Sequence, residues 1–256
     1  MSQCRIWIGT SWKMNKTVSE GAEYVEYFMK SLRAPRHVQT FLVLPFTHLE
    51  RVKGMLRDSG ILLGAQNMHP AEDGEFTGEI SAKMLRDIGV DLVEIGHSER
   101  RRYFNEDDFT VNAKVRTAVS HGLIPLVCVG EKASDREFGV TREVITCQLK
   151  IALHSIELSE NSRFLIAYEP VWAIGRCGTP ARPAQAGEIH TLIREILNGM
   201  YGPKVARRVR ILYGGSVNGG NAVDLLAQRN VDGLFVGRAG LDPSEFLDLV
   251  EKAGEG

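Results

Sequence analysis

Glu169 lies in Phe164-Leu-Ile-Ala-Tyr-Glu-Pro-Val-Trp-Ala-Ile-Gly175, the stretch with the clearest chemical content in the chain. The apolar run 164–167 reads as a strand buried on both faces. Pro170 biases Glu169 away from helical dihedrals. A loop carrying aromatic residues and glycine follows as far as Pro180-Ala-Arg-Pro183, where a helix can begin with proline in its first turn. A carboxylate at a strand end beneath such a loop suits a general base under a lid. A surface ion pair before an ordinary loop is the other reading.

Three further groups have complementary chemistry. His97 follows glycine and precedes Ser98-Glu99-Arg100, which reads as a helix start with an acidic first turn. A helix N-terminus disfavours imidazolium, so His97 would stay neutral and donate to a carbonyl, unless it is simply a structural histidine. Histidines 37, 48, 121, 154 and 190 lack such a context and read as structural or exposed. Lys13 follows the first apolar run and supplies positive charge for an anion if it does not point to solvent. Gly214-Gly-Ser216, read as preceding a short helix, and Gly237 offer backbone N–H groups of the kind that bind phosphate.

These groups need elements that bring them together. Apolar, β-branched runs at 5–9, 40–44, 61–65, 91–95, 124–129, 164–168, 209–213 and 233–236 read as strands. Amphipathic segments between them include 19–32, 49–58, 111–121, 137–157, 185–199, 217–226 and 243–252. Strands alternating with helices, without hairpin signals, imply parallel βα units. Eight such units predict a single (β/α)8 TIM barrel of α/β class spanning residues 1–256 as one domain. A doubly wound open sheet is less suited, because no Gly-x-Gly-x-x-Gly follows the first strand.

In such a barrel the active-site groups stand at the C-terminal ends of the strands. Ser11-Trp-Lys13, Gln66-Asn-Met-His69, Gly96–Arg101, Glu169, Gly214–Ser216 and Gly237-Arg238 all follow predicted strands. A carboxylate base, a neutral electrophile, a cation and a phosphate cradle together suit proton abstraction beside a carbonyl on a small phosphorylated sugar. That chemistry requires no metal and no organic cofactor.

Composition excludes several alternatives. Formal net charge is −1, so no global field draws the chain to nucleic acid or an anionic membrane. Arg100-Arg-Arg102 is flanked by Glu99 and the acids 106–108, the pattern of an ion-paired, solvated face. The four cysteines, Cys4, Cys128, Cys147 and Cys177, form no Cys-x-x-Cys pair and suggest free thiols in a reducing compartment. Cys128, inside an apolar run, reads as buried. With no signal-peptide core and no apolar stretch long enough to span a membrane, a cytoplasmic location is expected.

Trp12-Lys-Met-Asn15, Gly96-His-Ser-Glu-Arg-Arg101, Tyr168-Glu-Pro-Val-Trp-Ala-Ile-Gly175 and Tyr213-Gly-Gly-Ser-Val217 resemble, in order, the motifs of triosephosphate isomerases. That family is a standard example of pKa tuning and loop closure. The resemblance implies that Lys13 binds and stabilises the anion, His97 polarises the carbonyl and Glu169 shuttles the proton, with Glu99 supporting the lysine and histidine. It implies phosphate binding by backbone groups at Gly175, Ser216, Gly237 and Arg238. It also implies a lid over 170–181 and a homodimer formed through the loop 66–80.

Three positions depart from that family. Ser11 replaces the asparagine two residues before the lysine. The lid tip reads Gly175-Arg-Cys-Gly-Thr-Pro180, and a Gly-Gly pair after the last strand becomes Gly237-Arg238. The added guanidinium would lie on the phosphate or swing to solvent. These departures resemble the branch of the family that interconverts L-erythrulose 1-phosphate and D-erythrulose 4-phosphate in erythritol catabolism. Serine frees volume for the additional hydroxymethyl group and keeps a hydroxyl. Triosephosphate isomerase proper is the alternative, and a non-catalytic phosphometabolite-binding barrel is the alternative of another class.

Overall fold

A computed structural model of the protein describes residues 6–33, 35, 37–175 and 178–254. Cys4 and Arg5, with the start of the first predicted strand, lie outside the described residues, as do Arg176 and Cys177 of the lid tip. Along the described chain run β1 (Ile6–Ser11), α1 (Val18–Ser31), β2 (Val38–Leu44), α2 (Phe46–Met55), β3 (Leu62–Ala65), α3 (Ala82–Ile88) and β4 (Leu92–Ile95). Then follow α4 (Ser98–Tyr103), α5 (Asp108–Ser120), β5 (Ile124–Val129), α6 (Ala133–Glu137), α7 (Thr141–Ala152) and β6 (Leu165–Tyr168). The last units are α8 (Pro183–Ala206), β7 (Arg210–Tyr213), α9 (Ala222–Leu226), β8 (Gly233–Val236) and α10 (Pro243–Gly254). Strands β1 to β8 pair in sequence order, and β1 pairs with β8, closing the barrel. Every pairing is parallel.

Strand alternation divides the apolar residues into two shells. Trp7, Phe41, Leu92, Leu126, Leu165, Leu212 and Phe235 cluster within the barrel. Ile8, Leu42, Val93, Val127, Ile166 and Ile211 face outward and pack with Phe28, Leu49, Val115 and Phe246 of the helices. The strands are therefore apolar on both faces, which is why they appear in the sequence as continuous hydrophobic runs.

Helix starts follow local chemistry. Thr17 caps α1 in a reciprocal box with Glu20, its backbone N–H donating to Glu20 Oε2 at 2.7 Å. The side chain of Asp107 accepts Thr110 N–H at 2.7 Å ahead of α5. Pro183 stands in the first turn of α8.

Several boundaries differ from the sequence reading. Helix α8 continues beyond 199 to Ala206, through a kink at Gly202, where Pro203 restarts the helix. The predicted helix 137–157 is two helices, α6 and α7, separated at Phe138-Gly139-Val140. Helix α9 begins at Ala222 rather than 217, because Asn218 N–H is taken by Asn221 Oδ1 at 2.9 Å in a turn. Gly214–Ser216 thus leads into a turn before that helix. Strand β1 reaches Ser11, which is paired beside Val43, so Ser11 stands on a barrel strand rather than in a loop. Among the described residues no helix is long and apolar enough to cross a membrane.

Candidate active site

A cavity of about 300 Å3 opens at the C-terminal rim of the barrel. Ser11, Lys13, His97, Glu99, Glu169, Gly175, Ser216, Gly237 and Arg238 all line it, so the barrel brings together every site residue expected from the sequence.

Glu169 is 2% exposed, and both carboxylate oxygens are held. Oε1 lies 3.1 Å from His97 Nε2, and Oε2 accepts Ser98 N–H at 3.1 Å. Its backbone is fixed by Glu169 N–H to Val129 O at 2.7 Å. Gly130 makes this approach possible, since a Cβ there would collide with the Glu169 carbonyl oxygen.

His97 caps α4, and its Nδ1 accepts Glu99 N–H at 3.1 Å. A nitrogen that accepts cannot carry the proton, so the hydrogen of the neutral ring sits on Nε2, pointing at Glu169. Burial lowers the histidine pKa, but the charge of Glu169 and its hydrogen bond, with Glu94 behind, raise it to about 9. The Nδ1 hydrogen bond opposes that second proton, since imidazolium would set two N–H groups against each other. Charge alone would thus protonate this ring, and the helix start favours the neutral form. Burial likewise pushes the Glu169 carboxyl up, while His97, Ser98 N–H and Lys13 bring it below the usual range.

Lys13 adopts a left-handed backbone, φ 53°, uncommon for a residue with a side chain. Gln66 Nε2 donates to its carbonyl at 3.0 Å, and Lys13 Nζ donates to Glu99 Oε1 at 2.7 Å. The strained turn points the ammonium over the cavity. The base of α4 is held from beneath by Glu106, which accepts Gly96 N–H at 2.9 Å, Arg100 Nε at 2.8 Å and Lys114 Nζ at 2.5 Å. Arg101 pairs with Asp108, so two arginines of the basic run are ion-paired. Arg238 donates to the carbonyl of Gly175 at 2.9 Å, spanning the rim toward the loop after β6. That loop is anchored at Glu131, a fully buried acid that accepts Trp172 Nε1 at 2.8 Å and Tyr168 OH at 3.1 Å.

Sequence reasoning passed over Glu94. It occupies an inward position on β4, is 2% exposed, and accepts Ser11 Oγ–H at 2.9 Å through Oε2. Among the described residues its Oε1 has no hydrogen-bond partner, and it lies 4.0 Å from His97 Nε2. The signal was available, because an ionisable residue alternating with Leu92 in a strand apolar on both faces is rare without a purpose. Cys128 is buried, as expected from its apolar run. Glu94, Cys128 and Glu169 place ligand atoms within 4.8 Å of one another. Both oxygens of Glu169 are already engaged and burial pushes the Cys128 thiol up, so this donor set does not suit a metal.

A closed (β/α)8 barrel with a carboxylate, an imidazole and an ammonium gathered at its C-terminal rim defines a class, the barrel isomerases. The triosephosphate isomerase family model matches residues 6–253, and the chain belongs to that family and is an isomerase. It is 45% identical over 251 residues to the L-erythrulose-1-phosphate isomerase of Rhizobium rhizogenes, covering 97% of this chain and 94% of that one. It is 45% identical over 255 residues to the enzyme of the same name from Brucella abortus, covering 97% and 96%. It is 46% identical over 243 residues to the triosephosphate isomerase of Aquifex aeolicus, covering 95% and 97%. Membership of an isomerase family sets aside the non-catalytic barrel.

The unpartnered Glu94 carries a cost that pH should reveal. Burial raises its pKa from 4.5 to about 7. Between those values the unfolded chain ionises this group while the folded chain resists, so folding stability falls as pH rises through that window. Glu94→Gln removes the titration. Thermal unfolding at pH 5 and pH 8 should show the variant gaining on the parent at the higher pH, by up to about 1.4 kcal/mol per pH unit within the window. A difference that does not change with pH would contradict the shift.

Proposed function

We propose that the protein interconverts L-erythrulose 1-phosphate and D-erythrulose 4-phosphate. The observation that carries this reading is Ser11. It stands on β1 where the family has asparagine, and its hydroxyl hydrogen turns back to Glu94, leaving room at the cavity floor. The additional hydroxymethyl group of a four-carbon ketose phosphate needs that room. The relatives named for this activity match the chain nearly end to end. The Aquifex aeolicus relative, of equal similarity, keeps triosephosphate isomerase as the second reading.

In the proposed reaction, Glu169 exchanges its hydrogen bond with His97 for a position against C3 of the substrate. The freed Nε2–H of His97 and the Lys13 ammonium then face the substrate oxygens. Glu169 removes the C3 proton, and the electron pair moves into the C2–C3 bond as the C2 carbonyl becomes an enediolate oxygen. The C3 hydroxyl proton passes to the C2 oxygen, relayed at His97 Nε2, and return of the carbon-bound proton from Glu169 to C2 leaves a hydroxyl at C2 and the carbonyl at C3. His97 donates as a neutral imidazole, and Lys13 balances the developing charge while Glu99 orients it. Backbone groups at Gly175, Ser216, Gly237 and Arg238 hold the phosphate. A lid over 170–181 excludes water and disfavours elimination of the phosphate from the enediolate.

We also read the loop 66–80 as a homodimer contact. Met14, 97% exposed, and Phe76, 47% exposed, support this, because large apolar side chains so displayed commonly mark an interface. The free thiols of Cys128 and Cys147 support cytoplasmic residence.

Three measurements test these readings. Values of kcat/KM should favour L-erythrulose 1-phosphate over dihydroxyacetone phosphate. A tenfold preference for the triose, ~1.4 kcal/mol in transition-state binding, would reject the four-carbon assignment. Glu169→Ala should lower kcat by about 10² or more, and activity within a few-fold of the parent would remove Glu169 as the base. Light scattering should give twice the chain mass, with Phe76→Lys shifting it toward the monomer. A monomeric parent at micromolar concentration would exclude the dimer.

A further inference from the structure

Glu94 is a buried acid beside His97 and Glu169 that the reaction above does not use. It faces Ser11 on β1, His97 at the start of α4, Cys128 on β5 and Glu169 after β6, and the Lys13 ammonium also acts on its charge. It does not line the cavity, whereas Ser11 does. A buried carboxylate with one unpartnered oxygen weakens the fold, and replacement by a neutral group of the same shape would be neutral or stabilising. Groups that cost stability in this way collect where they serve function.

We infer that Glu94 is a positioning residue that acts through Ser11 to set substrate selectivity. It takes the only hydrogen of the Ser11 hydroxyl, so that Ser11 presents a lone pair, and no donor, to the cavity. A serine hydroxyl has one hydrogen and two acceptor sites, and here the hydrogen is spent at 2.9 Å on Glu94 Oε2. The cavity-facing side of Ser11 Oγ is therefore an acceptor. An asparagine amide at this place could donate to a substrate oxygen, but Ser11 paired with Glu94 cannot. An acceptor favours a ligand hydroxyl and disfavours a carbonyl or an enediolate oxygen, which are left to His97 and Lys13. On the four-carbon reading, on which this inference rests for its ligand, the hydroxyl is that of the added hydroxymethyl group. A site built to pair with a hydroxyl discriminates strongly against an analogue that lacks it.

Glu94→Gln tests the polarity with almost no change of shape. The amide NH2 donates to Ser11 Oγ, which reverses the bond and turns the Ser11 hydrogen into the cavity. At pH 8 the ratio of kcat/KM for L-erythrulose 1-phosphate to that for dihydroxyacetone phosphate should fall at least tenfold in Glu94→Gln, and as far in Ser11→Ala. The double variant should fall no further than Ser11→Ala alone, because Glu94 acts only through that hydroxyl. A purely structural role would lower both substrates by one factor and leave the ratio unmoved, and that result overturns the inference. Independent, additive losses in ratio also overturn it. If Glu94→Gln does not fold, by circular dichroism, Ser11→Ala decides alone, and an unchanged ratio rejects the inference. A parent enzyme that prefers the triose defeats the four-carbon assignment before any variant is made. The same cycle on dihydroxyacetone phosphate then decides the coupling: non-additive losses support it and additive losses overturn it.

Discussion

Burial of a carboxylate at the mouth of the barrel is the constraint around which this site is arranged. Glu169 is almost wholly removed from water, and its two oxygens are satisfied by His97 Nε2–H and Ser98 N–H. Both donors come from one place, the β4–α4 junction. The charge is therefore compensated by a preorganised helix start and an imidazole rather than by a dedicated counter-ion. That arrangement keeps the carboxylate ionised despite its burial.

The junction must be rigid for this to work, and it is held from below. Glu106 collects Gly96 N–H, Arg100 and Lys114, while Lys114 also donates to Asn67 Oδ1 at 2.8 Å beyond β3. Such a network of buried charges is stable only when every member is paired. Glu94 and Glu131 each break that rule at one oxygen. In a barrel whose interior is mainly apolar, these imperfectly paired acids are a local cost in stability.

The loop after β6 and the rim are joined by side chains of opposite habits. Glu131, fully buried, grips Trp172 and Tyr168 at the base of that loop. Arg238 reaches across from the loop after β8 to the Gly175 carbonyl in a solvent-exposed bond. The buried anchor is hard to release, whereas the exposed one exchanges readily with water or an anion. The guanidinium that replaces a glycine in this family engages the Gly175 carbonyl.

The sequence by itself determined the barrel, because parallel strands buried on both faces must be written as short apolar runs, and their alternation with amphipathic helices leaves few architectures. It also named the rim residues, since Lys13, His97 and Glu169 each follow a strand, and motif spacing identified the family. Helix boundaries such as those of α8 and α9 were less legible, because a kink at Gly202 and a turn at Asn218 depend on local hydrogen bonds that periodicity does not encode. Only the tertiary structure decided how these residues meet. Closure of the barrel sets Ser11 on β1 against Glu94 on β4, 83 positions apart in the chain, and turns the serine hydrogen away from the cavity. Direction of a hydroxyl and pairing of a buried acid are properties of contact across the barrel, and no pattern along one strand carries them.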